Sequence, residues 1–169
     1  ARRILKIIPN VKLIVLFRNP VDRAYSNYHL GVRAGSENLS FEDAIQSELD
    51  SLKNSKIKSD DDVKKYTVPR SYIAKGFYAD QLKIWLKLFK SKQLFITSTE
   101  DFESNANNTL NKIYDFLEIP QINLKNLEKH KVASYPPMKD ETRKFLVDLY
   151  KIHNEELFRM ISKEFDWNK

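Results

Sequence analysis

Residues 12–31 read KLIVLFRNPVDRAYSNYHLG, and the fold is decided there. Leu13 to Phe17 is a continuous apolar run, the pattern of a strand buried on both faces of a parallel sheet. Arg18 sits where that strand emerges. Asn19-Pro20 pairs a good N-cap with the residue best suited to the first helical position, so a helix is expected to start here, with Ser26 two turns in. An arginine at a strand's C-terminal end, facing a helix N-terminus, makes a basic site with unpaired backbone N–H groups. Such a site suits an anion, phosphate above all. The same order of elements also serves as plain punctuation in α/β proteins, with the arginine paired to a carboxylate at the sheet's edge.

The string Arg18 to Tyr28, RNPVDRAYSNY, resembles the segment with which sulfotransferases bind the 3′-phosphate of 3′-phosphoadenosine 5′-phosphosulfate (PAPS). In that family an arginine and the serine eight positions later contact the phosphate. The resemblance puts Arg18 and Ser26 in those roles, a guanidinium fork supplying charge and a hydroxyl adding a neutral donor. It implies a three-layer α/β fold, a parallel sheet flanked by helices like that of P-loop NTPases. It also implies PAPS as donor and adenosine 3′,5′-bisphosphate as product.

Composition narrows the classes. A chain of 169 residues with 41% hydrophobic and 31% charged side chains can bury a core but has little room for a second domain. The net charge of +6, from 29 basic and 23 acidic residues, favours an anionic partner without choosing among nucleotide, polysaccharide, membrane and nucleic acid. Absence of cysteine excludes disulfides, thiolate metal sites and cysteine nucleophiles, and suits a reducing, cytoplasmic setting. No apolar run approaches the ~20 residues of a membrane span, and the start, Ala1-Arg2-Arg3-Ile4-Leu5, is too short in apolar residues for a signal peptide. Gly31, Gly35 and Gly76 open neither a Walker-type loop nor a dinucleotide-binding turn.

In chain order, Ile4, Leu5, Ile7 and Ile8 read as the end of a helix before the turn at Pro9-Asn10. A chain that starts this way is expected to lack an N-terminal segment. Ser40 and Asp43 form a near-capping box for a helix to about Leu52, and residues 53–65 read as a polar surface loop. Pro69 to Leu82 leads into a helix continuing through Trp85 to Phe89, with Tyr78, Leu82, Trp85, Leu86 and Phe89 as a core stripe. Gln93 to Thr99 is expected to be the second strand, closed by Glu100-Asp101-Phe102. Asn107 to Leu117 is a periodic helix ended by Pro120. Asp140-Glu141 opens the final helical region, with Phe145, Leu146, Leu149, Tyr150, Leu157, Ile161 and Phe165 as buried positions.

This order is also similar to the middle of sulfotransferase domains, where the tyrosine-rich region borders the acceptor cleft. The resemblance implies that Tyr72, Lys75 and Tyr78 lie near the acceptor. Lys125, Lys129, His130 and Lys131 precede Tyr135-Pro136-Pro137. In sulfotransferases of the heparan-modifying and related bacterial type, a basic loop before a proline turn touches the nucleotide. Lys131 matches that loop's lysine and Ser134 is a further candidate, although Val132 and Ala133 stand where the family has glycine and arginine.

Sulfuryl transfer needs a donor held in line, charge stabilisation on the sulfonate and bridging oxygens, and a base for the acceptor hydroxyl or amine. In the family a lysine-containing, P-loop-like segment supplies the first two and a glutamate or histidine downstream of it supplies the base, both N-terminal to the phosphate-binding strand, so the catalytic residues are expected upstream of Ala1. No histidine spacing suggests a metal site. The partners expected are the nucleotide donor and a carbohydrate or small-molecule acceptor, with no nucleic acid and no membrane span. Two other readings stand beside this one. The first is a non-catalytic basic α/β module binding anionic polymer or nucleic acid, which no nucleic-acid-binding motif supports. The second is a nucleotide-kinase fragment, which the RNPVDRAYS string opposes.

Overall fold

The computed structural model describes residues 1–54, 71–122, 124 and 134–168. In chain order they form α1 (Arg2–Ile7), β1 (Leu13–Phe17), α2 (Pro20–Arg33), α3 (Phe41–Asn54), a 3-10 turn (Ala74–Gly76), α4 (Tyr78–Leu86), a second 3-10 turn (Ser91–Gln93), β2 (Leu94–Ser98), α5 (Thr99–Ser104), α6 (Ala106–Leu117) and α7 (Asp140–Ile161). They divide into two compact units: Ala1–Arg18 with Ile84–Ser134, and Asn19–Lys83 with Tyr135–Lys169.

The first unit holds the sheet. β1 and β2 pair in parallel, from Leu13 opposite Leu94 to Phe17 opposite Ser98, which requires the long crossover the sequence supplies. Gln93 ties the strands' starting ends together, its Nε2 donating to the carbonyls of Pro9 (2.9 Å) and Val11 (3.0 Å). The expectation that β1 is buried on both faces is overturned. Its side chains alternate in burial, with Phe17 at 8% exposure while Ile14 and Leu16 are 46% and 53% exposed. Among the described residues, one face of the strand is covered and the other is not.

Three local expectations also shift. The helix expected to reach Phe89 stops at Leu86, and a turn in which Leu88 and Phe89 donate to the Trp85 carbonyl buries Phe89. Trp85 and Leu86 are only half-buried. Strand β2 spans Leu94–Ser98, and Glu100-Asp101-Phe102 fall inside α5 because Ser98 caps it, accepting from the Asp101 N–H at 3.0 Å. Helix α6 ends at Leu117, where Glu118 takes a left-handed conformation (φ 61°), two residues before the proline that bars any extension.

The second unit is helical. Val21 and Ala24 of α2, Phe41, Ala44 and Ile45 of α3, and Leu146 and Tyr150 of α7 share one core with Tyr72, Ile73 and Met138. The sequence signals for its helix starts hold. Asn19 Oδ1 accepts from the Val21 N–H at 3.0 Å, and Ser40 Oγ accepts from the Asp43 N–H at 3.1 Å while donating to the Asp43 carboxylate at 2.6 Å. Helix α7 buries Leu146, Tyr150 and Leu157, but Phe145, expected in that stripe, is 47% exposed. After α7, Phe165 and Trp167 stack at 4.4 Å, and Tyr78 meets Trp167 edge-on at 6.0 Å.

Candidate functional site

Arg18 follows directly on β1 and is half-buried at the edge of the first unit. Asn19 opens the second unit by capping α2, and Pro20 occupies the first helical position. Ser26 lies in the second turn of α2, half-buried. The start of α2 is also tied to α7: Asp22, in its first turn, accepts from Arg143 at 2.6 Å. Beside it, Glu42 of α3 accepts from Thr142 at 2.8 Å and faces Lys139 at 3.4 Å. The Thr142 hydrogen bond, foremost, holds the Glu42 carboxyl below its ordinary value. Ser134 is exposed and belongs to the first unit. Lys131 lies outside the described residues.

Tyr72, Lys75 and Tyr78 come together in the second unit, in and beside the turn 71–76. Two of them serve the core. Tyr72 is 2% exposed and donates its hydroxyl to Glu37 Oε2 at 2.9 Å. Tyr78 is 8% exposed and packs against Trp167. Both rings are thus largely enclosed within the second unit. Lys75 is half-buried, and its ammonium has no partner among the described residues.

The backbone of this turn is held by side chains from three helices. Glu48 of α3 accepts the N–H groups of Tyr72 (2.6 Å), Ile73 (2.7 Å) and Ala74 (2.9 Å), and the Ser71 hydroxyl at 3.1 Å. Four donors converge on one carboxylate, so its charge is solvated by protein dipoles in place of water. Arg23 of α2 donates to the Tyr72 carbonyl. Tyr150 of α7 donates to the Ile73 carbonyl at 3.0 Å. Burial pushes the Tyr150 phenol well above its ordinary range, with nearby Arg23 opposing part of that rise, so the hydroxyl stays protonated and a donor. Gly76 closes the turn for a steric reason: a Cβ there would lie 2.7 Å from the Tyr150 ring.

Glu48, Arg23 and Tyr150 were absent from the sequence expectations for this region. Glu48 does carry a signal. It falls three and four residues after Ile45 and Ala44, on the apolar line of α3, where a carboxylate must meet donors or stay out of the core.

Neither described histidine offers itself as a base. His29 stacks on Tyr135 at 4.3 Å and meets Tyr25 edge-on at 4.5 Å, and burial, with Arg33 nearby, lowers its pKa. His153 packs on Phe77 at 4.1 Å. Among the described residues no His, Cys, Asp or Glu cluster could hold a metal ion, and no helix is long and apolar enough to cross a membrane. A cavity of about 530 Å³ at the end of α7, lined by Glu155, Phe158, Arg159, Ser162, Lys163 and Glu164, contains none of the expected residues.

Comparison with known proteins bears on the class. Residues 4–169 match the family model described as the sulfotransferase domain. The chain is 23% identical to the membrane-associated sulfotransferase kil1 of Dictyostelium discoideum, over 99% of this chain and 50% of that protein. It is 27% identical to human carbohydrate sulfotransferase 15, over 94% of this chain and 31% of that protein. With the human bifunctional heparan sulfate N-deacetylase/N-sulfotransferase 2 it shares 28% identity over 96% of this chain and 20% of that protein. It thus spans half or less of the length of these curated relatives. Among solved structures, a sulfotransferase from Alicyclobacillus acidocaldarius matches the fold with a TM-score of 0.78 at 24% identity, covering 99% of this chain and 62% of that one. With a parallel sheet, a capped helix following its first strand, and a family match along nearly its whole length, the chain belongs to the sulfotransferase domain family.

Proposed function

We propose that this chain takes part in moving a sulfonate group from PAPS to a hydroxyl or amine of a carbohydrate or small-molecule acceptor, and that it supplies the contacts to the donor's 3′-phosphate. Arg18 and Ser26 are the proposed contacts. The observation that carries the reading is local: β1 ends at Phe17, Arg18 follows, and α2 starts at Pro20 under the Asn19 cap, in a member of this family. A guanidinium meets two phosphate oxygens at once, and the serine hydroxyl donates to a third. Helix N–H groups near Asn19 add favourable dipoles. Lys131 and Ser134 are proposed as further nucleotide contacts.

Of the acceptor-side residues, Lys75 is the one proposed to meet the acceptor, while Tyr72 and Tyr78 shape the ground beneath it. When the donor is bound, it supplies an electrophilic sulfur whose bond to the 5′-phosphate oxygen breaks as the acceptor oxygen or nitrogen attacks. The acceptor proton must then pass to a base. We propose that this base and the cation facing the sulfonate come from sequence preceding Ala1, since the described histidines are engaged elsewhere and the relatives are at least twice as long.

Isothermal titration tests the donor claim. Adenosine 3′,5′-bisphosphate is expected to bind more tightly than adenosine 5′-monophosphate. Arg18→Ala should cost about 1.5–3 kcal/mol of that binding, and Ser26→Ala about 0.5–1.5 kcal/mol. Equal affinity for the two nucleotides would remove the 3′-phosphate assignment.

A further inference from the structure

Helix α7 has two faces with opposite fates. Thr142, Leu146, Tyr150, Asn154, Leu157 and Phe158 are buried in the second unit. The other face carries Phe145 at 47% exposure and Ile152 at 72%, with the half-buried Leu149 between them. A single exposed apolar side chain is ordinary. Three of them, spaced by four and then three residues on one helix, form a stripe of the kind that a partner helix packs against.

The charges beside the stripe say which partner. Glu141, Lys144, Asp148, Lys151, Glu155 and Arg159 are all exposed, and their signs alternate along the helix. At about 100° per residue they share one face with the stripe. Glu141 and Arg159 lie on its midline, the four between them on one flank, and Phe145, Leu149 and Ile152 on the other. Apart from Arg159 Nε, which donates to the Glu155 carbonyl at 3.3 Å, none of the six has a partner among the described residues. Turned end for end, the series presents the opposite sign at every place. Glu141 then meets Arg159, Lys144 meets Glu155, and Asp148 meets Lys151. All three pairs are centred level with residues 149 and 150, so one two-fold axis satisfies them together. Like flanks meet across antiparallel helices, so the same axis brings Phe145 of one copy to Ile152 of the other and the two Leu149 side chains together. A parallel pairing would set each charge against its own kind.

We infer that this face of α7 binds a second copy of the chain, the two helices antiparallel about a two-fold axis level with residues 149 and 150. The apolar stripe supplies the affinity. The exposed charges fix direction and register more than they add strength.

Sedimentation equilibrium of the full chain over a concentration series tests this, with circular dichroism checking that each variant folds. The wild-type chain is expected to dimerise reversibly. Ile152→Asp puts a charge into the stripe and is expected to weaken the dimer about tenfold or more. Lys144→Glu sets like charges opposite Glu155 twice in each dimer and is expected to weaken it about fivefold. Adding Glu155→Lys returns the alternation of sign across the interface and is expected to restore the wild-type affinity. Should Ile152→Asp fail to fold, the Lys144 and Glu155 swap still decides, because it leaves the buried face of α7 untouched. Leu16→Thr, on the open face of β1, is expected to leave the dimer intact. A chain that stays monomeric up to about 100 μM would leave the face to a different partner and overturn the inference. So would a dimer that survives Ile152→Asp, a swap that restores nothing, or a dimer broken by Leu16→Thr.

Discussion

The two units dispose of polar and apolar surface in opposite ways. In the second, a carboxylate, a guanidinium and a phenol are drawn onto a buried turn and matched to its backbone. In the first, the sheet leaves Ile14 and Leu16 about half open to water, and α1 buries none of its residues, Ile7 being 77% exposed. The contrast teaches where specificity resides. Directional bonds to a unique stretch of backbone define the shape of the second unit, because leaving any of them unmade is costly. In the first, beside the strand ladder and the Gln93 bonds, the holding contact is apolar and lies on one side of β1, and such contact constrains geometry less.

The comparison can be broken at its strongest point first. Glu48→Leu strands three buried N–H groups and is expected to lower unfolding free energy by about 3 kcal/mol or more in urea titrations. A loss under about 1 kcal/mol would mean that water or another group satisfies the turn and that the carboxylate is not its anchor. Gly76→Ala comes next, at about 1–3 kcal/mol, since its methyl must displace the Tyr150 ring.

A pH series sharpens the picture of the same unit. The His29 imidazole is held below its ordinary 6.5 by burial and then by Arg33. As pH falls through about 6.5, the unfolded chain takes up the proton first. The stability this group contributes is therefore full above that value and declines as pH falls through the folded pKa. His29→Phe should flatten the decline in Tm between about pH 7 and about pH 5.5, leaving the carboxylate-linked loss at lower pH, to which Glu42 contributes.

The smallest effect belongs to the first unit. Leu16→Thr should change stability by no more than about 0.5 kcal/mol, and light scattering is expected to find the variant no more self-associated than the parent, because it trades exposed apolar area for a hydroxyl on an open strand. A larger loss of stability would show that this face is covered in solution.

Much of this architecture was legible in the residues, where the signal is short-range. Asn19-Pro20 and Ser40 with Asp43 mark helix starts because capping depends on neighbours two or three positions apart, and Asp140-Glu141 marks a third by placing acidic charge in the first turn. The strand at Leu13 to Phe17 was also plain, but not which of its faces is covered, since a run without alternation carries no such information. Phe145 misled for a related reason: it neighbours the buried Leu146, and one step along a helix turns a side chain by about 100°. The 71–76 clamp was hidden more deeply. Its acceptor is a side chain but its donors are backbone N–H groups, which every residue except proline possesses. The pattern of residue types therefore does not point to them. The misplaced acid on the apolar line of α3 was the trace available.

One contact joins stretches more than seventy residues apart: the Tyr150 ring lies over Gly76 while its hydroxyl holds the Ile73 carbonyl. The middle of α7 cannot fray without releasing that turn, nor can the turn open while the ring stays in place. Amide hydrogen exchange should then find the two segments opening together as one cooperative unit, so that damage at either would be felt at both.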